Sequence, residues 1–255
     1  MQSTFDLLPA LRGEKVFVAC DYDFTLREVA PTPAEATLTP ERRELLQGLS
    51  GDRLQLAIVT GRSLESIQAV TGLDLPYWVV CGGLHIHGRG NNGNDGLCWT
   101  HPQHSSAFIA AVRAVLEVGV RDIPSAWVEN VGGMSVTVHW RQTPSEHHDR
   151  VARIVEETSA RLGFRLIMDR ARFGAMVEQP IDWDKGSALR KLLEMIGWNG
   201  AVVALGDSAA DDPMFQVANE YGGYGVRVGD RPSQCARAHL ESPHDVFRFF
   251  QQFSS

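Results

Sequence analysis

Two carboxylates one residue apart, Asp21 and Asp23, stand directly after the apolar run Val16-Phe17-Val18-Ala19-Cys20, in the stretch Asp21-Tyr22-Asp23-Phe24-Thr25. Acids at this spacing can both reach a single divalent cation, and hard oxygen ligands suit magnesium, which usually keeps several waters. A carboxylate can attack phosphorus to form an aspartyl-phosphate, provided a cation separates it from the anionic phosphate. The second acid is then placed to protonate the leaving alkoxide and later to activate water. Taken alone, a strand followed by such a pair is more often a turn or a helix cap.

Three further segments change that balance. Thr60-Gly61-Arg62 follows Leu56-Ala57-Ile58-Val59, and a hydroxyl with backbone N–H groups at a helix start can hold phosphate oxygens. Thr60 or Ser63 would equally serve as an N-cap there. Gly206-Asp207-Ser208-Ala209-Ala210-Asp211 follows Ala201-Val202-Val203-Ala204-Leu205, so Asp207 and Asp211 can point towards one metal or can cap the next helix. Lys185, next to Gly186 at a helix start, can neutralise charge between a phosphate and a carboxylate. Each segment is weak singly. All four in this order, each beside a strand end or a helix start, are not a chance assembly.

The elements that must position these residues are short, continuously apolar runs, which read as buried parallel strands each followed by a helical pattern. They lie at 16–20, 56–59, 77–81, 201–205 and 225–228, with helices from an N-cap at Thr39, from Ser63 and over 185–196. This rhythm predicts an α/β fold with a doubly wound parallel sheet. The middle of the chain differs: helix 105–118, strands 127–129 and 135–140, helix 146–162, strands 164–168 and 175–178. That order predicts a small open sheet with helices on one face, inserted as an α/β cap over residues 85–181 into a core of residues 1–84 and 182–255. Gly82-Gly83 with the Gly/Asn-rich stretch 88–96, and Gln179-Pro180-Ile181-Asp182, are the expected hinges, and cap closure would exclude bulk water.

These four segments resemble motifs one to four of the haloacid-dehalogenase superfamily of aspartate-nucleophile phosphatases, and the insertion resembles the α/β cap of its sugar-phosphatase branch. The resemblance implies Mg2+ as cofactor, Asp21 as nucleophile and metal ligand, and Asp23 as general acid/base and metal ligand. It also implies phosphate binding by Thr60, Gly61, Arg62 and Lys185, and metal binding by Asp207 and Asp211. Within that branch the chain is most similar to the trehalose-6-phosphate phosphatases, through Leu45–Val70, the run Val128-Glu129-Asn130 to His139-Trp140-Arg141, Val177-Glu178-Gln179-Pro180, Asp184-Lys185-Gly186 and Tyr224–Gly229. Glu129, His139, Arg141 and Glu178 become the implied sugar contacts. The resemblance departs at Phe24, where the family usually has Gly, and in a fourth motif with Ser208 and Asp212 in place of the usual Gly-Asp-Asp-x-x-Asp-Glu. The Gly-Asp-Ser form is similar to phosphatases of sucrose phosphate and mannosyl- or glucosyl-3-phosphoglycerate, the alternative substrates. A phospho-accepting or sugar-phosphate-binding module without catalysis is the alternative from another class.

Composition sets the outer bounds. The chain has 255 residues, enough for a well-buried core, with 44% hydrophobic and 22% charged residues. A formal net charge of -7 argues against a nucleic-acid partner, which needs a surplus of Lys and Arg. No apolar stretch approaches the roughly 20 residues that span a bilayer, and Met1–Gly13 lacks the pattern of a signal peptide. A cytoplasmic protein with a small-molecule partner, no membrane partner and an open oligomeric state is expected. Cys20, Cys81, Cys98 and Cys235 show no CxxC spacing and read as thiols rather than disulfides. His85-Ile86-His87 places two imidazoles on one strand face, but no third metal ligand is evident, so a contact to substrate at the cap hinge or, before that, plain structure is the better reading.

Overall fold

The structure, a computed structural model, describes residues 2–3, 15–28, 30–49, 51, 53–89 and 96–252. It divides into two compact units, residues 1–100 with 183–255, and residues 101–182.

The first unit is built on a nine-stranded sheet. In chain order its strands are β1 (Gln2–Ser3), β2 (Val16–Cys20), β3 (Leu54–Val59), β4 (Tyr77–Val80), β5 (His85–Gly88), β6 (Leu97–Thr100), β11 (Ala201–Gly206), β12 (Tyr224–Val228) and β13 (Ala238–Leu240). They lie in the spatial order β1-β13-β12-β11-β2-β3-β4-β5-β6. All pairs are parallel from β1 to β4, while β4–β5 and β5–β6 are antiparallel. The helices are α1 (Pro40–Leu49), α2 (Leu64–Thr71), α5 (Lys185–Met195), α6 (Asp212–Glu220) and α7 (Pro243–Gln251).

Both faces of this sheet are covered, which is why its strands read as unbroken apolar runs. Phe17, Ala19, Ala57, Val59, Val202 and Ala204 share one buried cluster with Ala188, Leu189, Leu192 and Leu193 of α5 and Met214 and Phe215 of α6. The alternate residues Val18, Cys20, Leu56, Ile58, Val203 and Leu205 are fully buried as well, and the pleat turns them to the opposite face. Phe249 and Phe250 of α7 are fully buried. From β2 the chain runs outward through β3 and β4, then returns to build β11 and β12 on the other side. The sheet therefore has a topological switch point between β2 and β11, and the carboxyl ends of strands at such a point are where open α/β sheets bind ligands.

The second unit carries a four-stranded antiparallel sheet in the order β7-β8-β10-β9, formed by β7 (Trp127–Val131), β8 (Ser135–His139), β9 (Arg165–Asp169) and β10 (Gly174–Glu178). Helices α3 (Ser106–Val120) and α4 (His148–Leu162) pack on one face through Ile109, Val112, Leu116, Val151 and Val155, against Val136, Val138, Ala175 and Val177. Helix, two strands, helix, two strands is the order expected from the sequence.

The unit boundaries differ from the expected ones. The first falls after Thr100 rather than at residue 84, because His85–Gly88 and Leu97–Thr100 form a hairpin that extends the large sheet from β4. Asp182, expected in the core, lies in the second unit, whose last residue it is. Gly82 and Gly83 sit in a 3-10 turn with φ of +68° and +101°. The stretch 90–95 lies outside the described residues. Cys20, Cys81, Cys98 and Cys235 are all free thiols. No helix of the described residues is long and apolar enough to cross a membrane.

Candidate active site

Asp21 is the first residue beyond β2 and Asp207 the first beyond β11, and these neighbouring strands are locked in register from Ala201–Val16 to Leu205–Cys20. The Asp21 N–H donates to the Leu205 carbonyl at 2.9 Å. Asp211 completes the group: one carboxylate oxygen from each of Asp21, Asp207 and Asp211 lies within 4.8 Å of the others, and all three residues are buried. The Lys185 ammonium, at the first turn of α5, donates to Asp21 Oδ1 at 2.8 Å and to Asp211 Oδ1 at 2.7 Å. Asp184 caps that helix by accepting from Ser187 N at 2.7 Å, which fixes where α5 begins and hence where Lys185 points.

Three carboxylates facing one ammonium carry more negative charge than the lysine offsets. Burial pushes the Asp21 carboxyl up to about 8, with Asp211 and Asp207 adding to the rise and Lys185 opposing it. Burial would draw the Lys185 ammonium down, but Asp21 and Asp211 outweigh it and hold it charged. A buried set of hard carboxylate oxygens with surplus negative charge fits a divalent cation of the magnesium class.

The loop that carries Asp211 is tied on every side. Asp211 Oδ2 accepts from the Ser208 N–H at 2.9 Å and from the Ser208 hydroxyl at 3.0 Å, so Ser208, the departure noted in the fourth motif, is half of a capping box. Arg227 of β12, fully buried, donates to the Ser208 carbonyl at 2.6 Å and to Asp212 Oδ1 at 2.5 Å. Its guanidinium also lies over the Phe215 ring, 5.0 Å from the centroid. A Cβ at Gly206 would collide with the Asp211 carboxylate, and one at Gly186 would lie 2.6 Å from the Pro213 carbonyl carbon, so both positions need glycine for close approach.

Thr60 is buried at the carboxyl end of β3, next to β2 in the sheet. Its Oγ1 accepts from the Arg62 N–H at 3.2 Å, whereas the N-cap of α2 is Ser63, which accepts from Ser66 N. Arg62 Nε and Nη2 donate to Asp23 Oδ2 and Oδ1, each at 2.7 Å, and its Nη1 to the Pro33 carbonyl at 2.8 Å. The guanidinium is thus placed on the second acid of the pair. Phe24 adopts φ of +66°, in the left-handed region that favours glycine, which accounts for the Gly usual at this turn.

In the second unit, strand alternation and register put Glu129, His139 and Glu178 on the sheet face opposite α3 and α4. His139 Nε2 lies 2.7 Å from Glu129 Oε2, and the Trp127 ring stacks on His139 with centroids 4.2 Å apart. Glu178 is buried and accepts from Arg165 Nε at 2.6 Å. Arg141, beyond the end of β8, donates to the Arg172 carbonyl at 3.3 Å. The sequence reading missed Trp127, Arg165 and Arg227. A basic residue inside the apolar run of β12 was the available signal for Arg227. No local signal marks the other two.

Residues 19–242 match the family described as Trehalose-phosphatase. The chain belongs to the trehalose-phosphatase family. Among curated members it is 27% identical over 259 residues to trehalose-phosphate phosphatase B of Arabidopsis thaliana, covering 97% of this chain and 68% of that protein. It is 29% identical over 271 residues to probable trehalose-phosphate phosphatase 9 of Oryza sativa subsp. japonica, covering 96% and 71%. Among solved structures, the C-terminal domain of the C. albicans trehalose-6-phosphate phosphatase superposes with a TM-score of 0.79 at 18% identity, covering 97% of this chain and 96% of that one. A haloacid dehalogenase-like hydrolase from B. subtilis superposes with a TM-score of 0.55 at 15% identity, covering 92% and 98%. The doubly wound core with an inserted α/β unit is thus the fold of the haloacid-dehalogenase superfamily, and this trehalose-phosphatase family member is a phosphatase of that type.

Proposed function

We propose that the chain hydrolyses trehalose 6-phosphate to trehalose and phosphate, with Mg2+ as cofactor and Asp21 as the covalent nucleophile. The observation that carries this reading is the position of Asp21 at the switch point, with Lys185 on its Oδ1 and Asp207 and Asp211 within metal-sharing distance. Magnesium held by Asp21, Asp23, Asp207 and Asp211 would supply positive charge between the nucleophile and the incoming phosphate. Lys185 adds a second positive charge on the same carboxylate, and Thr60 with Gly61 offers hydroxyl and N–H donors to the phosphoryl oxygens. Asp21 takes the phosphoryl group while Asp23 gives its proton to the leaving sugar oxygen. Asp23 then takes a proton from water, which attacks phosphorus and frees Asp21. Arg62 sets the plane of the Asp23 carboxylate and is a positioning residue in this reading, rather than a phosphate binder.

The helix-free face of the second unit, with Glu129, His139, Glu178 and the nearby Arg141, is the surface we assign to the sugar hydroxyls. The cytoplasmic location expected from the sequence goes with a soluble sugar-phosphate substrate. Ser208 favours a second reading, in which the substrate is sucrose phosphate or mannosyl- or glucosyl-3-phosphoglycerate. The test is phosphate release over a panel of these esters with Mg2+ and with chelator, for the unaltered chain and Asp21→Asn. Release from trehalose 6-phosphate that needs Mg2+ and Asp21 supports the proposal. Preference for another ester moves the substrate, and ligand binding without release would make the chain a binding module.

A further inference from the structure

The antiparallel register of β5 and β6 pairs His85 with Thr100, Ile86 with Trp99 and His87 with Cys98. Alternation then sends Ile86 and Trp99 to one face and His85, His87, Cys98 and Thr100 to the other. Ile86 and Trp99 belong with the buried cluster under α5 and α6. The opposite face gathers two imidazoles and a thiol, and these three side chains meet. One ligand atom from each of His85, His87 and Cys98 lies within 4.8 Å of the others. The two rings have centroids 4.3 Å apart, and Cys98 is a free, exposed thiol. The third ligand that the sequence did not reveal comes from the partner strand.

We propose that His85, His87 and Cys98 form a binding site for a zinc-class transition-metal cation, separate from the carboxylate site. Imidazole and thiolate donors select such ions over magnesium, which takes oxygen ligands. Tetrahedral zinc, at about 2.0–2.3 Å from N and S, spaces its ligand atoms by about 3.5 Å. Small side-chain rotations close that difference, because both strands are already paired in register. His85 Nδ1 contacts Thr100 Oγ1 at 2.8 Å, the kind of neighbouring hydrogen bond that orients a metal-bound imidazole. Binding releases the Cys98 thiol proton to solvent, and water fills the fourth position on the exposed side. The ion links β5 to β6, the last strand of the sheet in this direction, and so braces the hairpin.

The experiment uses the full chain without an affinity tag, reduced, with saturating Mg2+ to occupy the carboxylates, and titrates Co2+ as a spectroscopic probe. We expect one equivalent of Co2+ to give a sulfur-to-cobalt charge-transfer band with tetrahedral d–d bands, bleached by one equivalent of Zn2+. Cys98→Ser removes the charge-transfer band, and His87→Gln or His85→Gln weakens Co2+ binding about tenfold or more. Cys235→Ser and Asp207→Asn leave the band unchanged. Absence of the band in the unaltered chain overturns the proposal, as does its persistence in Cys98→Ser. Equal Zn2+ stoichiometry in the unaltered chain and the His87→Gln/Cys98→Ser variant also overturns it. Thermal melts confirm that each variant is folded, and none of the three ligands is part of the phosphatase site, so loss of either reading leaves the other standing.

Discussion

Arg62 grips the Asp23 carboxylate with two parallel hydrogen bonds, Nε to Oδ2 and Nη2 to Oδ1, each at 2.7 Å across 39 residues of sequence. This planar fork fixes one orientation of the acid, which a lysine ammonium cannot do. Arg62→Lys is therefore expected to lower kcat about tenfold or more with KM little changed, since misplacing a proton donor costs rate rather than affinity. A double-mutant cycle of Arg62→Lys with Asp23→Asn should return a coupling of about 1–2 kcal/mol in transition-state stabilisation. Additive effects would mean that the pair does not act as a unit.

Asp21→Asn keeps the shape of the side chain and an oxygen for Lys185 while removing the nucleophilic carboxylate. Phosphate release should fall by about 10⁴-fold or more, the scale of losing a covalent nucleophile. Circular dichroism should stay unchanged. Turnover within tenfold of the unaltered chain would rule Asp21 out.

The charge crowding also predicts how metal-free stability responds to pH. Burial first, then Asp211 and Asp207, raises the folded-state Asp21 carboxyl to about 8, against about 3.9 in an unfolded chain. Between those values the folded chelated protein holds a proton that the unfolded chain has released. The Asp21 contribution is thus fully present below about pH 4 and is lost as pH rises through about 8. Denaturant titrations in chelator should show this falling slope, and Asp21→Asn should flatten it. Mg2+ competes with the same proton, so its affinity should rise with pH across that window, which calorimetry can follow.

Arg227 is fully buried with its ion pair to Asp212 and its bond to the Ser208 carbonyl. Arg227→Met leaves Asp212 and Ser208 without that partner and is expected to cost about 1–3 kcal/mol, since Asp212 is partly exposed and keeps its bond from the Ser233 hydroxyl. Mg2+ affinity should fall with it, because the same loop holds Asp211. A variant as stable as the unaltered chain would show that the brace is dispensable.

Trp127 stacks on His139 on the helix-free face of the second unit and is 45% exposed. Trp127→Ala should raise KM for the sugar phosphate about tenfold, the range of one aromatic contact. Turnover of a small aryl phosphate, which lacks the sugar, should be unaffected. Equal loss on both esters would separate this face from sugar recognition.

The local features of the site were legible in the sequence. Asp21, Thr60, Lys185 and Asp207 each stand where an apolar run stops or a helix begins, and those transitions are written in neighbouring residues: β-rich buried runs, Asp184 as a cap, glycines at close approaches. The order of these transitions also implied the doubly wound sheet, because parallel strands need helical crossovers of one hand. Contacts made between distant strands were not legible. Register decided that Arg62 faces Asp23, that Glu178 pairs with Arg165, and that Cys98 joins His85 and His87. It also joined His85–Gly88 and Leu97–Thr100 to the large sheet rather than to the inserted unit. Propensity and spacing act over a few residues, whereas register is chosen by the packing of whole sheet faces, so these partners emerged only in the tertiary structure.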